Sequence, residues 1–185
     1  QFLQEEQTFI FERMNIMNKY YDEQDPEMQE KYPDIVVIKD LSEMTVVSAR
    51  YVGKNPEQNA LSIIQKWFNN SGLSVQKDAL RIFGFNNPNP KNDEDQDYGY
   101  EFIVTVPDTY KTSDKTVEVK TFSGGKYAVC GISGYEGNDD GAGIPEAWDK
   151  LSKWLADSKY VHGHHQWLEE HLNFSEGFSF EGGMD

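Results

Sequence analysis

The sequence predicts an α+β domain built from two strand–helix–strand–strand units. Three observations indicate this: segments rich in β-branched residues, two stretches with apolar residues at helical spacing, and a match between the two halves of the chain. With only two copies, we expect pseudo-two-fold symmetry instead of a solenoid. The units should form an antiparallel sheet with both helices on one face. The other face and the seam between the units, a central cleft, would be left for a ligand.

The first half of the chain, over residues 34–106, contains four predicted strands and one predicted helix. Residues 34–39 and 44–52 are rich in β-branched side chains and are predicted to be strands. A helix is predicted over about 56–70, because it starts at an Asn-Pro pair and its apolar residues recur at helical spacing. Two further strands are predicted over 80–85 and 100–106, separated by a polar loop. The helix therefore lies between two pairs of strands.

A constant offset between the two halves of the chain indicates the duplication. Residues 38–53 align with residues 119–134 at an offset of 81. The second copy then carries six extra residues, after which Trp67 aligns with Trp154. The second helix is therefore predicted at about 144–157. We predict that both tryptophans are core residues that hold a helix on a sheet.

The domain organisation follows from this alignment. Residues 35–185 form the duplicated domain, with repeat one at about 35–107 and repeat two at about 115–185. The second copy stops one strand short, so we expect that strand beyond residue 185. Residues 1–34 are an acidic amphipathic helical extension or linker, with apolar residues such as Phe2 and Phe9 seven positions apart. This helix either packs on its own domain or joins an upstream domain, and the second arrangement is compatible with a homodimer.

Composition excludes several classes of protein. The formal net charge is −15, from 17 basic and 32 acidic residues. This balance disfavours direct binding of nucleic acid by this segment and docking on an anionic membrane. The single cysteine, Cys130, cannot form an internal disulfide, and no signal peptide or membrane-spanning run is present in the sequence, so we expect a cytoplasmic protein. The aromatic content of 14% indicates a core, a pocket or both.

Two other segments are interpreted without special chemistry. The histidines near residue 165 match no zinc-ligand spacing, so no metal and no cofactor are expected. Ser123-Gly124-Gly125 lies between two predicted strands, which predicts a hairpin turn.

The duplicated frame carries two motifs that resemble a known family. Residues 98–107 (YGYEFIVTVP) and 165–173 (HQWLEEHLN), in this order, are similar to segments of the GyrI-like effector-binding domain. That family occurs alone and appended to AraC-type and MerR-type bacterial transcription regulators. The resemblance implies a sensor for aromatic, lipophilic or cationic small molecules, as part of a regulator or as a standalone binder, with any DNA-binding domain upstream of Gln1.

Two alternative functions remain open. Some members of the family are reported to hydrolyse reactive cyclopropane-bearing compounds, so the resemblance also implies a hydrolase that uses a glutamate in the pocket. The acidic surface by itself is compatible with a protein-interaction module whose recognition element is the N-terminal helix.

The resemblance places the family's ligand-contacting glutamate on Glu169, and its neighbour Glu170 should face the other side of a strand. Glu101 is a second candidate, because aromatic residues flank it and ring faces add cation–π attraction to a carboxylate. A carboxylate on a half-exposed strand would look the same in the sequence. The full set of candidate ligand-binding residues is Glu169, Glu101, Trp167, Trp148, Tyr100, Tyr51, Phe83 and His165.

Overall fold

The computed structural model describes residues 36–73, 80–92, 98–130, 143–163 and 166–171. Within these residues the chain forms antiparallel strands and two helices, so the predicted α+β class is confirmed. The fold divides into two compact units. The predicted helix of residues 1–34 lies outside the described residues.

The observed elements follow the predicted order. The strands are β1 (Val36–Leu41), β2 (Met44–Val52), β3 (Ile82–Asn86), β4 (Gly99–Thr105), β5 (Glu118–Phe122), β6 (Gly125–Cys130) and β7 (Glu169–Glu170). The helices are α1 (Pro56–Ser71) and α2 (Gly143–Asp157). Both helices lie within one residue of their predicted bounds. Apolar spacing and terminal Pro and Gly residues are local signals for α1, and α2 was predicted from its alignment with α1.

One unit is built on an antiparallel sheet of five strands in the order β5-β2-β4-β3-β7. In its register Val47 pairs with Val104, and Gly84 pairs with Phe102. Because side chains alternate along a strand, one face of this sheet carries Val47, Tyr100 and Phe102. Helix α1 packs on this face, and its buried residues are Pro56, Ala60, Ile64, Trp67 and Phe68. We call this the helix face.

The opposite face of the same sheet is also buried at its centre. Residues that alternate with those of the helix face are largely shielded from water: Val46, Ser48, Phe83, Phe85, Glu101 and Ile103. Glu101 is the only charged residue among the buried ones of the described chain, and its side chain is 2% exposed. A buried carboxylate is costly unless other groups hydrogen-bond to it. Glu101 therefore needs polar partners on this face of the sheet.

The other unit contains β1, β6 and α2. β1 and β6 pair antiparallel, with Val36 opposite Cys130. Trp154 of α2 is buried and stacks on the Tyr160 ring at a centroid distance of 5.8 Å. The prediction that Trp67 and Trp154 are core residues is thus confirmed, each within its own unit.

The prediction of a hairpin turn at Ser123–Gly125 is wrong. β5 and β6 follow one another in the chain but do not pair, because β5 pairs with β2 and β6 pairs with β1. Gly124 has φ 69°, a left-handed conformation that glycine adopts at little cost, where the chain passes from one sheet to the next. In the predicted repeat frame, the first strand of each copy pairs with the second strand of the other. The two-fold symmetry itself and the central cleft stay predictions.

Candidate functional site

Two predicted site residues, Tyr100 and Glu169, form a hydrogen-bonded pair on the helix face. The Tyr100 hydroxyl donates to Oε2 of Glu169 at 2.7 Å. β3 lies between their strands, and Gly84 of β3 pairs with Glu169 on one side and with Phe102 on the other. The Tyr100 ring crosses this glycine, since its atoms occupy the space that a side chain at position 84 would need.

The Tyr100 phenol stays protonated at neutral pH. Burial raises its pKa, and the charge and hydrogen bond of Glu169 raise it further, because a phenolate beside a carboxylate is repelled. The hydroxyl is therefore a permanent donor to Glu169. The pair places the half-buried Glu169 carboxylate beside the buried Tyr100 ring.

A second pair of the same kind lies nearby. The Tyr98 hydroxyl donates to Oε1 of Glu57, a residue in the first turn of α1. Burial, this hydrogen bond and the Glu57 charge raise the pKa of Tyr98 to about 12. The Glu57 charge also raises the pKa of Tyr100, so the two pairs are electrostatic neighbours. We refer to Glu57, Tyr98, Tyr100 and Glu169 as the tyrosine–glutamate cluster.

Glu57 and Tyr98 were not among the candidate ligand-binding residues predicted from the sequence. The available signal for Tyr98 was its position just before β4 and two residues before Tyr100, which favours the same side of the chain in extended backbone. No local signal marked Glu57, because an acidic residue in the first turn of a helix is ordinary.

Each glutamate of the cluster has one carboxylate oxygen that is not engaged within the described residues. Tyr100 holds Oε2 of Glu169, and Tyr98 holds Oε1 of Glu57. In the described part of the chain, no lysine or arginine forms an ion pair with either carboxylate. Tyr51 pairs in register with Tyr100, and its side chain is 38% exposed. The cluster thus carries negative charge beside aromatic rings, with no cation among the described residues to neutralise it.

Glu101 is placed differently from Glu169. It lies on the opposite face, where it accepts hydrogen bonds from Ser48 at 2.5 Å, from Asn87 at 2.6 Å and from the Lys120 ammonium. Ser48 and Lys120 bind one oxygen and Asn87 binds the other. Both oxygens are therefore engaged, and the carboxylate is neutralised by a lysine of the same unit.

Phe83 lies on the Glu101 face as well. It is buried, stacks on Phe122 at a centroid distance of 6.4 Å, and has the Arg81 guanidinium 4.8 Å from its ring centroid. The structure therefore brings Tyr100 and Glu169 together with Tyr51 alongside. Glu101 and Phe83 lie on the other side of the sheet.

The environment of Glu101 predicts an acid-dependent loss of stability. Burial alone would raise its pKa, but hydrogen bonds from Lys120, Ser48 and Asn87 lower it below the ordinary value of 4.5. The stabilisation is therefore complete above the unfolded-state pKa and is lost as the pH falls through the lower folded-state pKa. In urea unfolding between about pH 3 and pH 7, the stability difference between wild type and Glu101→Gln should shrink below about pH 4.5. A constant difference across this range would contradict the assignment.

Glu169 and Glu170 have separate partners, as strand alternation predicts. Glu170 receives two hydrogen bonds from Arg81, from Nε at 2.7 Å and from Nη2 at 2.9 Å. This bidentate ion pair links β7 to the start of β3 and leaves Glu170 compensated. Glu169 as the ligand-binding carboxylate of the two stays a prediction.

The remaining candidates are distributed over the chain. Trp167 precedes β7 and is 41% exposed, whereas Trp148 belongs to α2 in the other unit and is half-buried. His165 lies outside the described residues. In the ranges that the structure describes, no three His, Cys, Asp or Glu side chains are grouped so as to hold a metal ion. None of the described helices has the length and apolar character needed to cross a membrane.

Comparisons with known proteins add the family context. A family model described as integron-associated effector binding protein (Cass2) matches residues 37–181. No curated protein matches the chain.

Two solved structures are similar to the chain. The crystal structure of the EcmrR C-terminal domain is 15% identical with a TM-score of 0.47, covering 74% of this chain and 93% of that one. The cryo-EM structure of an EcmrR–DNA complex in EcmrR-RPo is 13% identical with a TM-score of 0.51, covering 91% of this chain and 66% of that one. The chain thus spans just under two thirds of the second relative. At these identities the second match shows a shared fold.

Proposed function

Because the chain belongs to the integron-associated effector binding proteins, we propose that it binds a small cationic aromatic molecule at the tyrosine–glutamate cluster. The GyrI-like character expected from the sequence motifs is confirmed by this membership. The observation that carries the proposal is the hydrogen bonding of the Glu169 carboxylate. Tyr100 holds Oε2 of this half-buried carboxylate, and Oε1 is not engaged within the described residues.

The chemistry of the cluster favours a cation over a neutral or anionic ligand. The charges of Glu169 and Glu57 both raise the pKa of Tyr100. Neither carboxylate forms an ion pair with a lysine or arginine of the described chain. Attraction between charges strengthens as the effective dielectric falls near a protein interior. Tyrosine faces add cation–π attraction of about 0.5–2 kcal/mol to an aromatic or quaternary cation.

The other predicted residues receive specific tasks in this proposal. Tyr51 and Trp167, both partly exposed, would supply aromatic surface to the ligand. Trp148 and His165 stay candidates for further contacts. Glu101 and Phe83 lie on the opposite face and would have a structural role, stabilising the sheet.

The proposal includes a sensing role. An effector-binding domain couples a small molecule to a second activity, and a chain of similar fold occurs in an EcmrR–DNA complex. We propose that this chain is the cytoplasmic sensing part of a transcription regulator or a standalone binder. An AraC-type or MerR-type DNA-binding segment, a homodimer and the interaction role of residues 1–34 stay predictions. The complete open reading frame tests for a DNA-binding segment. The mass in solution, with and without residues 1–34, tests the homodimer and the interaction role.

The ligand class is tested by two probes of the same shape and opposite charge. Tetraphenylphosphonium should quench or shift tryptophan fluorescence saturably, whereas tetraphenylborate should not bind. Glu169→Gln should weaken tetraphenylphosphonium binding about tenfold, or roughly 1.4 kcal/mol, because it removes the carboxylate charge that attracts the cation at reduced dielectric. Glu170→Gln is the matched control, since the adjacent carboxylate is already paired with Arg81.

Three outcomes would contradict the proposal. They are equal binding of both probes, no saturable binding of either, and equal losses in Glu169→Gln and Glu170→Gln. Calorimetry of the same titrations gives the stoichiometry and distinguishes binding from non-specific quenching of the tryptophan fluorescence.

A hydrolase remains the second candidate function. Glu169 keeps one oxygen unengaged within the described residues, beside a phenol that stays protonated, which is an arrangement suited to directing water onto a strained electrophile. Mass spectrometry of a cyclopropane-bearing electrophile incubated with wild type and Glu169→Gln would detect a hydrated product. Binding without any product in the wild type would leave sensing as the function.

A further inference from the structure

Gly84 occupies a position where any side chain would collide with Tyr100. A Cβ at this position would overlap the Tyr100 hydroxyl oxygen and would lie 2.8 and 2.9 Å from ring atoms Cε1 and Cζ. The residue lies inside β3 and is not among the described glycines with positive φ. Its backbone therefore does not require glycine, and the requirement comes from the space that the Tyr100 ring takes.

We infer that Gly84 is a positioning residue of the ligand site. Its missing side chain lets Tyr100 cross β3 and hold Oε2 of Glu169, which leaves Oε1 available to a cation. This inference rests on the proposed function, because it names Gly84 as a residue that sets the affinity of the same site for a cation. Glycine inside a strand commonly marks such a close approach.

The Tyr100 ring has little freedom to avoid a methyl group at position 84. It is 6% exposed, and its neighbour on the strand, Phe102, lies 5.0 Å away between ring centroids. Both rings belong to the core that α1 covers. A side chain at position 84 should therefore displace the phenol, and the hydroxyl then loses Glu169.

The inference is tested by a double-mutant cycle on the full chain. Tetraphenylphosphonium affinity and urea unfolding are measured for wild type, Gly84→Ala, Tyr100→Phe and the double variant. We expect each single variant to bind about tenfold more weakly, because the Glu169 side chain is no longer held in place before the ligand arrives and must be ordered on binding. The double variant should bind no more weakly than Tyr100→Phe, because the hydroxyl that Gly84 positions is already absent.

Stability supplies the readout that separates positioning from packing. The ring atoms that collide with a Cβ are also present in phenylalanine, so Gly84→Ala should destabilise both backgrounds. Binding distinguishes the two roles. If Gly84 had a purely structural role, Gly84→Ala would weaken binding by the same factor in the wild type and in Tyr100→Phe, and that result would overturn the inference. Wild-type affinity in Gly84→Ala would overturn it too. A wild-type chain that binds no probe would refute the proposed function, which is a distinct result.

Discussion

Replacing Glu101 with alanine is expected to lower the free energy of unfolding by about 3 kcal/mol. The carboxylate is buried in the central strand of the sheet and joins three other segments through Ser48, Asn87 and Lys120. Its removal leaves two polar side chains and an ammonium group without their acceptor. Measured costs of breaking buried ion pairs run to about 5 kcal/mol, and the lower value applies because Lys120 is 36% exposed and can turn to water.

The matched control is the ion pair between Asp40 and Lys126. It also joins a lysine to a carboxylate, at a short distance of 2.7 Å, but both side chains are exposed. Asp40→Ala should therefore unfold at nearly the same urea concentration as the wild type, because water replaces the lost partner. If Glu101→Ala is as mild as Asp40→Ala, the buried carboxylate does not anchor the sheet.

Replacing Trp67 with alanine should destabilise the chain by about 3–5 kcal/mol, as expected for a large aromatic side chain lost from a core. Trp67 is 2% exposed and contacts Tyr110 edge-on at a centroid distance of 5.9 Å. Its indole N–H also donates to the Tyr110 hydroxyl at 3.1 Å, which ties the segment after β4 to α1. The substitution removes both the packing and this link.

Trp67→Phe and Trp167→Ala give the comparison. Phenylalanine keeps a buried six-membered ring but loses the N–H donor and part of the indole volume, so it should cost about half as much as alanine or less. Trp167 is partly exposed, and its replacement should change the unfolding free energy by no more than about 1 kcal/mol. Urea unfolding measures the loss of unfolding free energy in each variant. Equal losses in Trp67→Ala and Trp167→Ala would show that the packing of α1 does not depend on the Trp67 indole.

The sequence indicated Glu169 and Tyr100 as candidate site residues but not that they are hydrogen-bond partners. Glu169 and Tyr100 were selected separately, the first from a family motif and the second from its aromatic neighbourhood. Their hydrogen bond spans 69 positions and requires β7 to lie beside β3 with Gly84 opposite Glu169. Strand order and register of this kind come from non-local pairing, which a local pattern does not encode.

The two carboxylates that looked alike in the sequence differ in the structure. Glu101 and Glu169 both have aromatic neighbours along the chain, yet of the two only Glu101 meets a lysine within the described residues. Strand alternation predicts that Tyr100 and Glu101 point to opposite faces. Which face receives Lys120 depends on the pairing of β5 with β2, and the sequence did not reveal that pairing.

By itself, the sequence determined the α+β class, the positions of both helices and of most strands, the core tryptophans and the effector-binding family. These features follow from local spacing, from turn residues and from motifs. Only the tertiary structure decided that β5 pairs with β2 and not with β6, that Lys120 neutralises Glu101, and that Tyr100 reaches Glu169 across Gly84. Those outcomes depend on contacts between segments far apart in the chain, where burial and the fit of side chains select one arrangement among several compatible with the same local pattern.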